Sequence, residues 1–314
     1  MDKKHEYYDV VIIGGGAAGL TAAIYTGRQK LNTLLIEKSL VGGLATYTSE
    51  IENYPGFPEG ITGTELMKLF HRQAKNFGVK FKLTDVKSVN FNGEDKVVET
   101  FRVIYHSKSV IISTGGRPRL TGALGEEKFL FDKGISFCAT CDATKYTNKT
   151  VIVIGSGDSA LEEGNFLTKF AEKVILAVRR DKDKIHANNL AKEKAMKNSK
   201  IEFLWNSSIY SFDGDEHLTS VNIENSKTNE IINIPVDGCF LFIGYEPNTG
   251  IFKDKIRLSD REYIITNEYM ETSVKGVFAV GDVREKSLRQ VATAVGDGAI
   301  AGVEAENYIS KLKS

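Results

Sequence analysis

Two cysteines three residues apart are the side chains with the most reactive chemistry in this sequence. Cys138 and Cys141 form C-A-T-C, which follows the apolar residues 135–137. A tetrahedral zinc site would require two further Cys or His ligands at suitable spacing, and neither the third cysteine nor the five histidines supply them. A pair of inert buried thiols is a second alternative. The spacing favours a redox-active disulfide, and no metal is expected.

Two further side chains bear on this chemistry. Asp142 directly follows the second cysteine, and a carboxyl group there can exchange a proton with the leaving thiolate. Capping of the next turn is an equally good interpretation of Asp142. Cys239 lies in the apolar run 239–243, which predicts a buried core position for its thiol.

Two segments of the chain share the pattern strand, glycine-rich turn, helix and strand. In the first, an apolar strand over residues 9–13 precedes G-G-G-A-A-G and a helical stretch, and a second strand covers residues 33–36. In the second, a strand over residues 150–154 precedes G-S-G-D-S-A, and the next strand covers residues 173–178. Each pattern is typical of a βαβ unit that binds a dinucleotide. The sequence therefore predicts two nucleotide sites.

The first glycine-rich turn has the composition that a pyrophosphate requires. Gly14 permits a tight turn, Gly16 allows close approach of the phosphates, and Gly19 lets the helix pack on the strand. Glu37 follows the second strand, where a carboxylate binds ribose hydroxyls. A merely structural glycine turn would not need this acidic residue.

The second turn differs in the charge at the end of its following strand. Gly155, Gly157 and Ala160 form the turn, and the strand then ends at Arg179 and Arg180. Guanidinium groups bind phosphate in a bidentate manner, so this pair suits an adenosine 2′-phosphate and favours NADPH over NADH. A solvated basic strand end is the alternative. Different charges at the two strand ends predict two different nucleotides, a flavin and a nicotinamide.

Two Gly/Pro-rich stretches, residues 115–119 and 244–250, are predicted to be domain junctions. Residues 118–245 would then form an inserted domain, and residues 1–117 and 246–314 would fold together. The predicted fold class is α/β, with two Rossmann-like dinucleotide-binding domains of the three-layer ββα type, the second inserted in the first. The polar, weakly alternating stretch over residues 206–228 predicts a β-hairpin at the surface.

The composition narrows the class of partner. The 314 residues carry 41 Lys and Arg against 41 Asp and Glu, a net charge of zero. A general nucleic-acid binder needs a basic excess, so no nucleic-acid partner is expected. No apolar run approaches the ~20 residues that span a bilayer, and the N-terminal apolar run is too short for a signal peptide. We therefore expect a cytoplasmic protein with no membrane partner.

The motifs together resemble those of the low-molecular-weight thioredoxin reductases, flavoproteins among the pyridine nucleotide-disulfide oxidoreductases. The resemblance covers nearly the whole chain, and C-A-T-C-D placed before the second glycine turn is its most specific element. The other matching elements are G-G-G-A-A-G at Gly14, I-E-N-Y-P-G-F at Ile51, S-T-G-G at Ser113, G-S-G-D-S-A-L-E-E at Gly155, P-N-T at Pro247, G-V-F-A-V-G-D at Gly276 and L-R-Q-V-A-T-A at Leu288.

The resemblance implies a discontinuous FAD domain with an inserted NADPH domain, working as a homodimer. Such enzymes pass a hydride from NADPH to FAD, and then electrons to the disulfide and to thioredoxin. By the same resemblance, Cys141 faces the flavin, Cys138 attacks the thioredoxin disulfide, and Asp142 joins them as a catalytic residue. The dipole of the helix that starts near Arg289 would favour the anionic reduced flavin.

The resemblance also implies the residues that bind each cofactor. Those expected at FAD are Gly14, Gly16, Ala17, Gly19, Glu37, Gly43, Thr48, Asn53, Thr114, Gly115, Gly281, Asp282, Arg289, Gln290 and Val291. Those expected at NADPH are Gly155, Gly157, Asp158, Ser159, Ala160, Arg179, Arg180 and Lys184.

Three positions depart from the family pattern. Val178 replaces the histidine of H-R-R, Leu44 replaces a glutamine beside the flavin, and a further arginine is replaced by Lys184. With a two-residue insertion in the loop, His186 would take that arginine's place instead. Lysine is a point charge and histidine is mostly neutral at pH 7, so both weaken the hold on a 2′-phosphate.

NADPH remains the expected electron donor, with NADH or reduced ferredoxin as alternatives. Ferredoxin-fed relatives tend to lack the second glycine turn and its arginines, so Gly155, Gly157, Arg179 and Arg180 argue against that donor. C-A-T-C argues against a ferredoxin–NADP reductase or an NADH oxidase, and a non-catalytic nucleotide sensor would not need the cysteine pair.

One short disulfide cannot meet both a flavin and a bulky protein in one pose. We therefore expect residues 118–245 to rotate about the two junctions.

Overall fold

Each half of the structure is built around a sheet whose central parallel strands bury apolar segments. The structure is a computed structural model that describes residues 3–48, 50–130, 132–185 and 187–313. The chain up to Arg117 and from Glu246 onward forms one unit, here called the discontinuous unit. The inserted unit is Pro118–Tyr245.

The described residues form the following strands and α-helices. The strands are β1 (Lys4–Ile13), β2 (Thr33–Glu37), β3 (Lys80–Leu83), β4 (Val86–Asn90), β5 (Lys96–Thr100), β6 (Val103–Ile112), β7 (Gly116–Pro118), β8 (Ile135–Ser136), β9 (Thr150–Ile154), β10 (Lys173–Val178), β11 (Ile201–Trp205), β12 (Ser207–Gly214), β13 (Leu218–Asn225), β14 (Ile231–Pro235), β15 (Gly238–Leu241), β16 (Tyr245–Pro247) and β17 (Val277–Ala279). The helices are α1 (Ala17–Arg28), α2 (Gly63–Asn76), α3 (Ala139–Asp142), α4 (Asp158–Leu167), α5 (Asn189–Lys197) and α6 (Val291–Lys313).

The discontinuous unit has three layers. Its sheet has the order β3-β2-β1-β6-β5-β4, and β17 pairs with the second half of β6. The pairs among β1, β2, β3, β6 and β17 are parallel, whereas β4, β5 and β6 pair antiparallel. Leu20, Leu66 and Ala305 from the three helices bury one face of the parallel sheet. Val89 and Val98 from the antiparallel ribbon bury the other face.

The inserted unit repeats this layering. Its parallel sheet has the order β11-β10-β9-β15-β8, and a separate antiparallel sheet has the order β12-β13-β14. Leu161 and Ala195 of the helices pack on one face, and Phe212 and Val221 of the antiparallel sheet pack on the other. Strands covered on both faces are almost wholly apolar, which is why their sequences are continuous hydrophobic runs. The predicted α/β class with two Rossmann-like units is confirmed.

The two chain crossings between the units run side by side. The short strands β7 and β16 pair with each other. The N–H of Arg119 donates to the carbonyl of Gly244, and the N–H of Asn248 donates to that of Gly115, both at 3.0 Å. Arg117 and Glu246 add an ion pair of 3.1 Å between the crossings.

The elements predicted from the sequence are present, with adjusted ends. The helix of the second βαβ unit was expected to reach about residue 170, but α4 ends at Leu167. The helix ends earlier because the chain reverses direction there. The N–H of Ala171 donates to the carbonyl of Leu167 at 2.8 Å. The predicted hairpin is formed by β12 and β13. Among the described residues, no helix combines the length and apolarity that crossing a membrane requires.

Candidate functional site

The first glycine-rich turn joins β1 to α1 at the carboxyl end of the parallel sheet. Gly14 has a φ of 107°, and a Cβ there would lie 2.3 Å from the carbonyl oxygen of Ser113. Gly16 precedes α1 as its N-cap, and the nearest described atom to the position of a Cβ on Gly16 is 4.0 Å away. Open space therefore lies at the start of α1, next to Ala17. Free N–H groups and the helix dipole make such a position suitable for a pyrophosphate.

Glu37 is held at this turn by the backbone. Its Oε2 accepts the N–H of Gly15 at 2.7 Å, and its Oε1 accepts the N–H of Ser39 at 2.9 Å. The N–H of Gly42 also reaches the carbonyl of Gly15, at 2.7 Å, and Gly43 then begins a short 3-10 helix. The structure therefore brings Glu37 and the segment around Gly43 to the glycine turn.

A second group of predicted flavin residues meets at the start of α6. The side-chain amide of Asn53 donates to Oε1 of Gln290 at 3.1 Å. The guanidinium of Arg289 lies 4.4 Å from the ring centre of Tyr263. Its Nε is buried and has no hydrogen-bond partner within the described part of the chain. An unpartnered buried donor is costly, so its position fits a bound group that accepts a hydrogen bond.

Asp282 follows β17 in a short 3-10 helix next to the start of α6. Burial raises the pKa of its carboxyl, while Lys286 and Arg289 lower it by a smaller amount. Its turn is fixed by Asp297, whose Oδ2 accepts the N–H of Gly281 at 3.0 Å and the ammonium of Lys286 at 2.7 Å. Asp282 is thus a partly buried carboxyl on a braced turn, which fits binding of polyol hydroxyls.

Three other predicted flavin positions have structural contacts of their own. The hydroxyl of Thr114 donates to the carbonyl of Asn248 at 2.8 Å, and the side-chain amide of Asn248 returns to the carbonyl of Thr114 at 2.9 Å. Gly115 accepts the N–H of Asn248. The carbonyl of Thr48 accepts the N–H of Gly63 at 2.9 Å. These contacts fix the backbone near the predicted site.

The second glycine-rich turn joins β9 to α4. Gly155 has a φ of 152°, and a Cβ there would lie 2.6 Å from the carbonyl oxygen of Phe242. No atom of the described residues lies within 4 Å of the position of a Cβ on Gly157, which precedes α4 as its N-cap. Ala160 is buried under the helix and Ser159 is exposed. The inserted unit therefore has its own open helix N-terminus for a pyrophosphate.

Asp158, the first residue of α4, has partners within the protein. Its Oδ1 accepts both the N–H of Asn188 at 2.7 Å and the side-chain amide of Asn188 at 2.8 Å. The side chain of Asn188 in turn caps α5 by accepting the N–H of Ala191 at 2.9 Å. Asp158 therefore fixes the loop between β10 and α5 beside the glycine turn, a role that the sequence did not indicate.

The loop after β10 carries the predicted determinants for the adenosine phosphate. Val178 is fully buried, and Arg179 and Arg180 are exposed. Lys184 is exposed and ends a short 3-10 helix, whereas His186 lies outside the described residues. Asp181 accepts hydrogen bonds from Lys227 and Asn206, and these bonds lower the pKa of its carboxyl.

Cys138 and Cys141 are joined in a disulfide with a Cα–Cα distance of 5.3 Å. Cys138 precedes α3 as its N-cap, and Cys141 lies within the helix. The N–H of Asp142 donates to the carbonyl of Cys138 at 3.2 Å, which closes the turn between them. The third cysteine, Cys239, is fully buried on β15, and burial raises the pKa of its thiol well above the usual range. The prediction of a core position for Cys239 is confirmed.

The carboxylate of Asp142 is held by two side chains. The hydroxyl of Ser136 donates to Oδ2 at 2.7 Å and accepts the N–H of Cys138 at 3.2 Å. The ammonium of Lys145 lies 2.7 Å from Oδ1 and also 2.7 Å from Asp132. Burial lowers the pKa of Lys145, but its hydrogen bonds to Asp132 and Asp142 outweigh burial and raise it. The Asp142 side chain makes no capping hydrogen bond to the next turn, so the capping interpretation is wrong.

Several residues of these sites carried no recognisable signal in the sequence. Ser136, Lys145, Asn188, Lys227 and Asp297 act through contacts that follow no motif spacing. Gly42 could have been noticed, because G-G at residues 42–43 follows the strand that ends at Glu37. Within the described ranges, no group of three or more His, Cys, Asp or Glu could hold a metal ion.

Comparisons with known proteins show the family to which the chain belongs. Residues 8–298 match the pyridine nucleotide-disulphide oxidoreductase family. Thioredoxin reductase of Listeria monocytogenes is 42% identical, over 100% of this chain and 97% of the relative. Thioredoxin reductase of Peptoclostridium acidaminophilum is 45% identical, over 96% and 97% of the two chains. The crystal structure of thioredoxin reductase from Streptococcus pyogenes is 40% identical and covers 97% of this chain and 99% of that one, with a TM-score of 0.91. This chain therefore belongs to the pyridine nucleotide-disulphide oxidoreductases and, within them, to the thioredoxin reductase family.

Proposed function

We propose that this protein takes electrons from NADPH, passes them through FAD to the Cys138–Cys141 disulfide, and delivers them to the disulfide of a thioredoxin. The observation that carries the proposal is the position of this disulfide. It lies next to a carboxylate that Lys145 holds by an ion pair, in a unit that has its own glycine-rich turn and two arginines in the loop directly after β10. None of the alternative functions considered above needs both a redox disulfide and a second nucleotide site in the same unit.

The residues of the discontinuous unit fit FAD. The open N-terminus of α1 would hold the pyrophosphate, Glu37 the ribose, and Asp282 the ribityl hydroxyls. The unpartnered Nε of Arg289 and the Asn53–Gln290 pair would meet the flavin end. Bound FAD supplies the two-electron chemistry that links a hydride donor to a disulfide.

The residues of the inserted unit fit a nicotinamide dinucleotide. The open N-terminus of α4 would hold its pyrophosphate, with Gly155, Gly157 and Ala160 leaving the space for it. Arg179, Arg180 and Lys184 would meet the adenosine end. Their positive charges favour a 2′-phosphate, which is why NADPH is proposed over NADH.

The thiol chemistry balances over one cycle. Two electrons and two protons convert the Cys138–Cys141 disulfide to two thiols. The Cys138 thiolate then attacks the thioredoxin disulfide, which forms a mixed disulfide and releases one thioredoxin thiolate. Cys141 attacks the sulfur of Cys138, which restores the first disulfide and releases the second thiolate. Asp142 carries a proton between the cysteines and solvent, and Ser136 and Lys145 hold its carboxylate in place.

Three further features belong to this proposal. The inserted unit rotates relative to the discontinuous unit so that the disulfide and the nicotinamide reach the flavin in turn. Two copies of the chain form a homodimer, as the resemblance implies. The enzyme works in the cytoplasm, a compartment in which protein thiols are kept reduced.

Rapid mixing of the flavin-loaded protein with each donor tests the proposal. Under anaerobic conditions, we expect NADPH to bleach the visible absorbance of the flavin faster than NADH or reduced ferredoxin does. A purified protein that retains no flavin would overturn the proposal. Faster bleaching by NADH or ferredoxin would overturn the choice of donor and keep the disulfide chemistry.

Replacement of the attacking thiol separates the two halves of the reaction. We expect Cys138→Ser to abolish reduction of thioredoxin and to leave flavin reduction by the nicotinamide intact, because only the second step needs this sulfur. Cys239→Ala is the matched control, since Cys239 is a free cysteine that lies fully buried on β15 and takes no part in the disulfide. Retained disulfide reductase activity in Cys138→Ser would contradict the assignment.

A further inference from the structure

A carboxylate occupies an unfavourable place for a protein that selects NADPH. Asp181 directly follows Arg179 and Arg180 in the loop after β10. In folds of this kind, a carboxylate at the end of the second strand binds the ribose 2′-hydroxyl of NAD. The same charge repels a 2′-phosphate. Left unpaired, Asp181 would therefore offset the attraction that the two arginines exert.

Lys227 pairs with this carboxylate from a distant part of the sequence. Its ammonium lies 2.5 Å from Oδ1 of Asp181, and the side-chain amide of Asn206 donates to the same oxygen at 3.0 Å. Lys227 belongs to the turn between β13 and β14, in the antiparallel sheet of the inserted unit. A positive charge is thus brought to the nucleotide loop by an element that carries no glycine-rich motif.

Backbone hydrogen bonds fix this turn against the loop. The N–H of Ser226 donates to the carbonyl of Asn206 at 2.7 Å, and the N–H of Asn206 donates to the carbonyl of Arg180 at 3.3 Å. The hydroxyl of Ser226 also donates to the carbonyl of Asn206, at 3.1 Å. The residue before Lys227 is therefore tied, through Asn206, to the backbone of Arg180. This connection places Lys227 more firmly than its exposure alone would suggest.

From this geometry we propose that Lys227 is a positioning residue for dinucleotide selection: it neutralises and immobilises Asp181, so that Arg179 and Arg180 present a net positive charge to a 2′-phosphate. The inference rests on the proposed binding of NADPH to the inserted unit. It extends that proposal by naming a residue outside the glycine-rich turn and the arginine pair. Lys227 acts through Asp181 and needs no contact with the nucleotide.

Binding of two adenosine nucleotides to the full chain tests the inference. The probes are adenosine 2′,5′-bisphosphate and adenosine 5′-monophosphate, which differ by the 2′-phosphate, and calorimetry gives both affinities. We expect Lys227→Met to lower the preference for the bisphosphate about fivefold, the effect of one unit charge a few ångströms away in water. Addition of Asp181→Asn to that variant should restore the preference, and Lys227→Arg should retain it.

A second exposed ion pair, at the far end of β10 from the nucleotide loop, provides the control. Lys173 at the start of β10 lies 2.5 Å from Glu202, and this pair is at the opposite end of the strand from Arg179. Lys173→Met should leave the preference unchanged, because the distance along the strand exceeds the screening length of about 8 Å at physiological salt.

The outcomes distinguish the two proposals. A wild-type chain that binds both nucleotides equally would overturn the choice of NADPH and the inference with it. A wild-type preference that survives Lys227→Met would overturn the inference and leave NADPH in place. A loss that Asp181→Asn does not restore would also overturn it, because the lysine would then act directly on the phosphate and not through the carboxylate.

Discussion

The hydroxyl of Ser136 connects the disulfide to its carboxylate. It accepts the N–H of Cys138 and donates to Asp142, so one small side chain orients both catalytic groups. We expect Ser136→Ala to destabilise the protein by about 1–3 kcal/mol, because two polar groups lose a buried partner. We also expect a lower kcat for thioredoxin reduction with an unchanged rate of flavin reduction by NADPH.

Urea unfolding and the two rate measurements check this prediction against a matched serine. Ser207 is as buried as Ser136, at 6% exposure, but its hydroxyl donates to the carbonyl of Trp205 and touches neither cysteine. Ser207→Ala should lower stability without a change in kcat. Equal rates in both variants would show that Ser136 serves the fold and not the reaction.

His71 on α2 makes stability depend on pH. Burial lowers the pKa of its imidazole, and Lys75 lowers it further. The ring packs edge-on against Phe81 at 4.5 Å, and its Nε2 has no partner in the described part of the chain. Below the ordinary histidine pKa of about 6.5, the unfolded chain binds a proton that the folded chain resists. Stability from this group is therefore present above that pH and is lost as the pH falls.

Replacement of His71 by glutamine should remove this contribution. We expect the urea midpoint of wild type to fall relative to that of His71→Gln between about pH 7.5 and pH 5.5. Replacement of the exposed Gln73 on the same helix by alanine is the control, since that side chain carries no titratable group. A constant difference between wild type and His71→Gln across this range would contradict the prediction.

Residues that lie close together in a sequence motif were predictable from the sequence. Residues that meet only after the chain has folded were not. Cys138 and Cys141 are three positions apart, and Gly14 and Gly16 lie in a motif whose spacing encodes its function. Lys227 reaches Asp181 across 46 residues, and no periodicity links the two. Such pairs arise from the packing of separate sheets, which a single sequence does not reveal.

The turn from β17 into α6 depends on a buried ion pair. Asp297, on the second turn of α6, holds both the backbone of Gly281 and the ammonium of Lys286, and both side chains are largely buried. Asp297→Asn removes the charge and leaves Lys286 unpaired, so we expect a loss of about 3 kcal/mol in stability. Since this turn carries Asp282, we also expect weaker retention of FAD.

Thermal unfolding and release of flavin fluorescence measure both effects. Asp260→Asn removes a carboxylate that is exposed in the same unit, and it should leave both quantities unchanged. Unaltered FAD retention in Asp297→Asn, at a protein concentration where wild type begins to lose its cofactor, would contradict the supporting role of Asp297.

The elements themselves were largely predictable because their patterns are local. The central strands of both parallel sheets contain continuous apolar segments, such as residues 10–13 of β1 and 151–154 of β9, since helices cover one face and antiparallel strands cover the other. The ends of the elements were less predictable. The chain must turn after Leu167 to reach β10, and this requirement leaves no mark on the sequence pattern of α4 itself.

Rotation of the inserted unit is a prediction for the whole molecule. Fluorescent labels on Lys68 of α2 and Lys194 of α5, introduced as non-natural amino acids, report the separation of the two units. We expect energy transfer to differ between the oxidised protein and the reduced protein with NADP⁺, since one disulfide must serve two partners. Labels on Lys194 and Glu230, within the inserted unit, are the control. Identical transfer between the units in both states would contradict rotation.

The paired crossings β7 and β16 have a consequence for how such a molecule is assembled and altered. Because Arg119 and Gly244 are hydrogen-bonded neighbours, the inserted unit begins and ends at almost the same point in space. A fold with adjacent termini can be cut out, closed with a short linker, or exchanged for another without pulling its host sheet apart. The two crossings are therefore the positions at which the inserted unit can be exchanged to make a chimaera, and the discontinuous unit closed there with a short linker should still be able to fold.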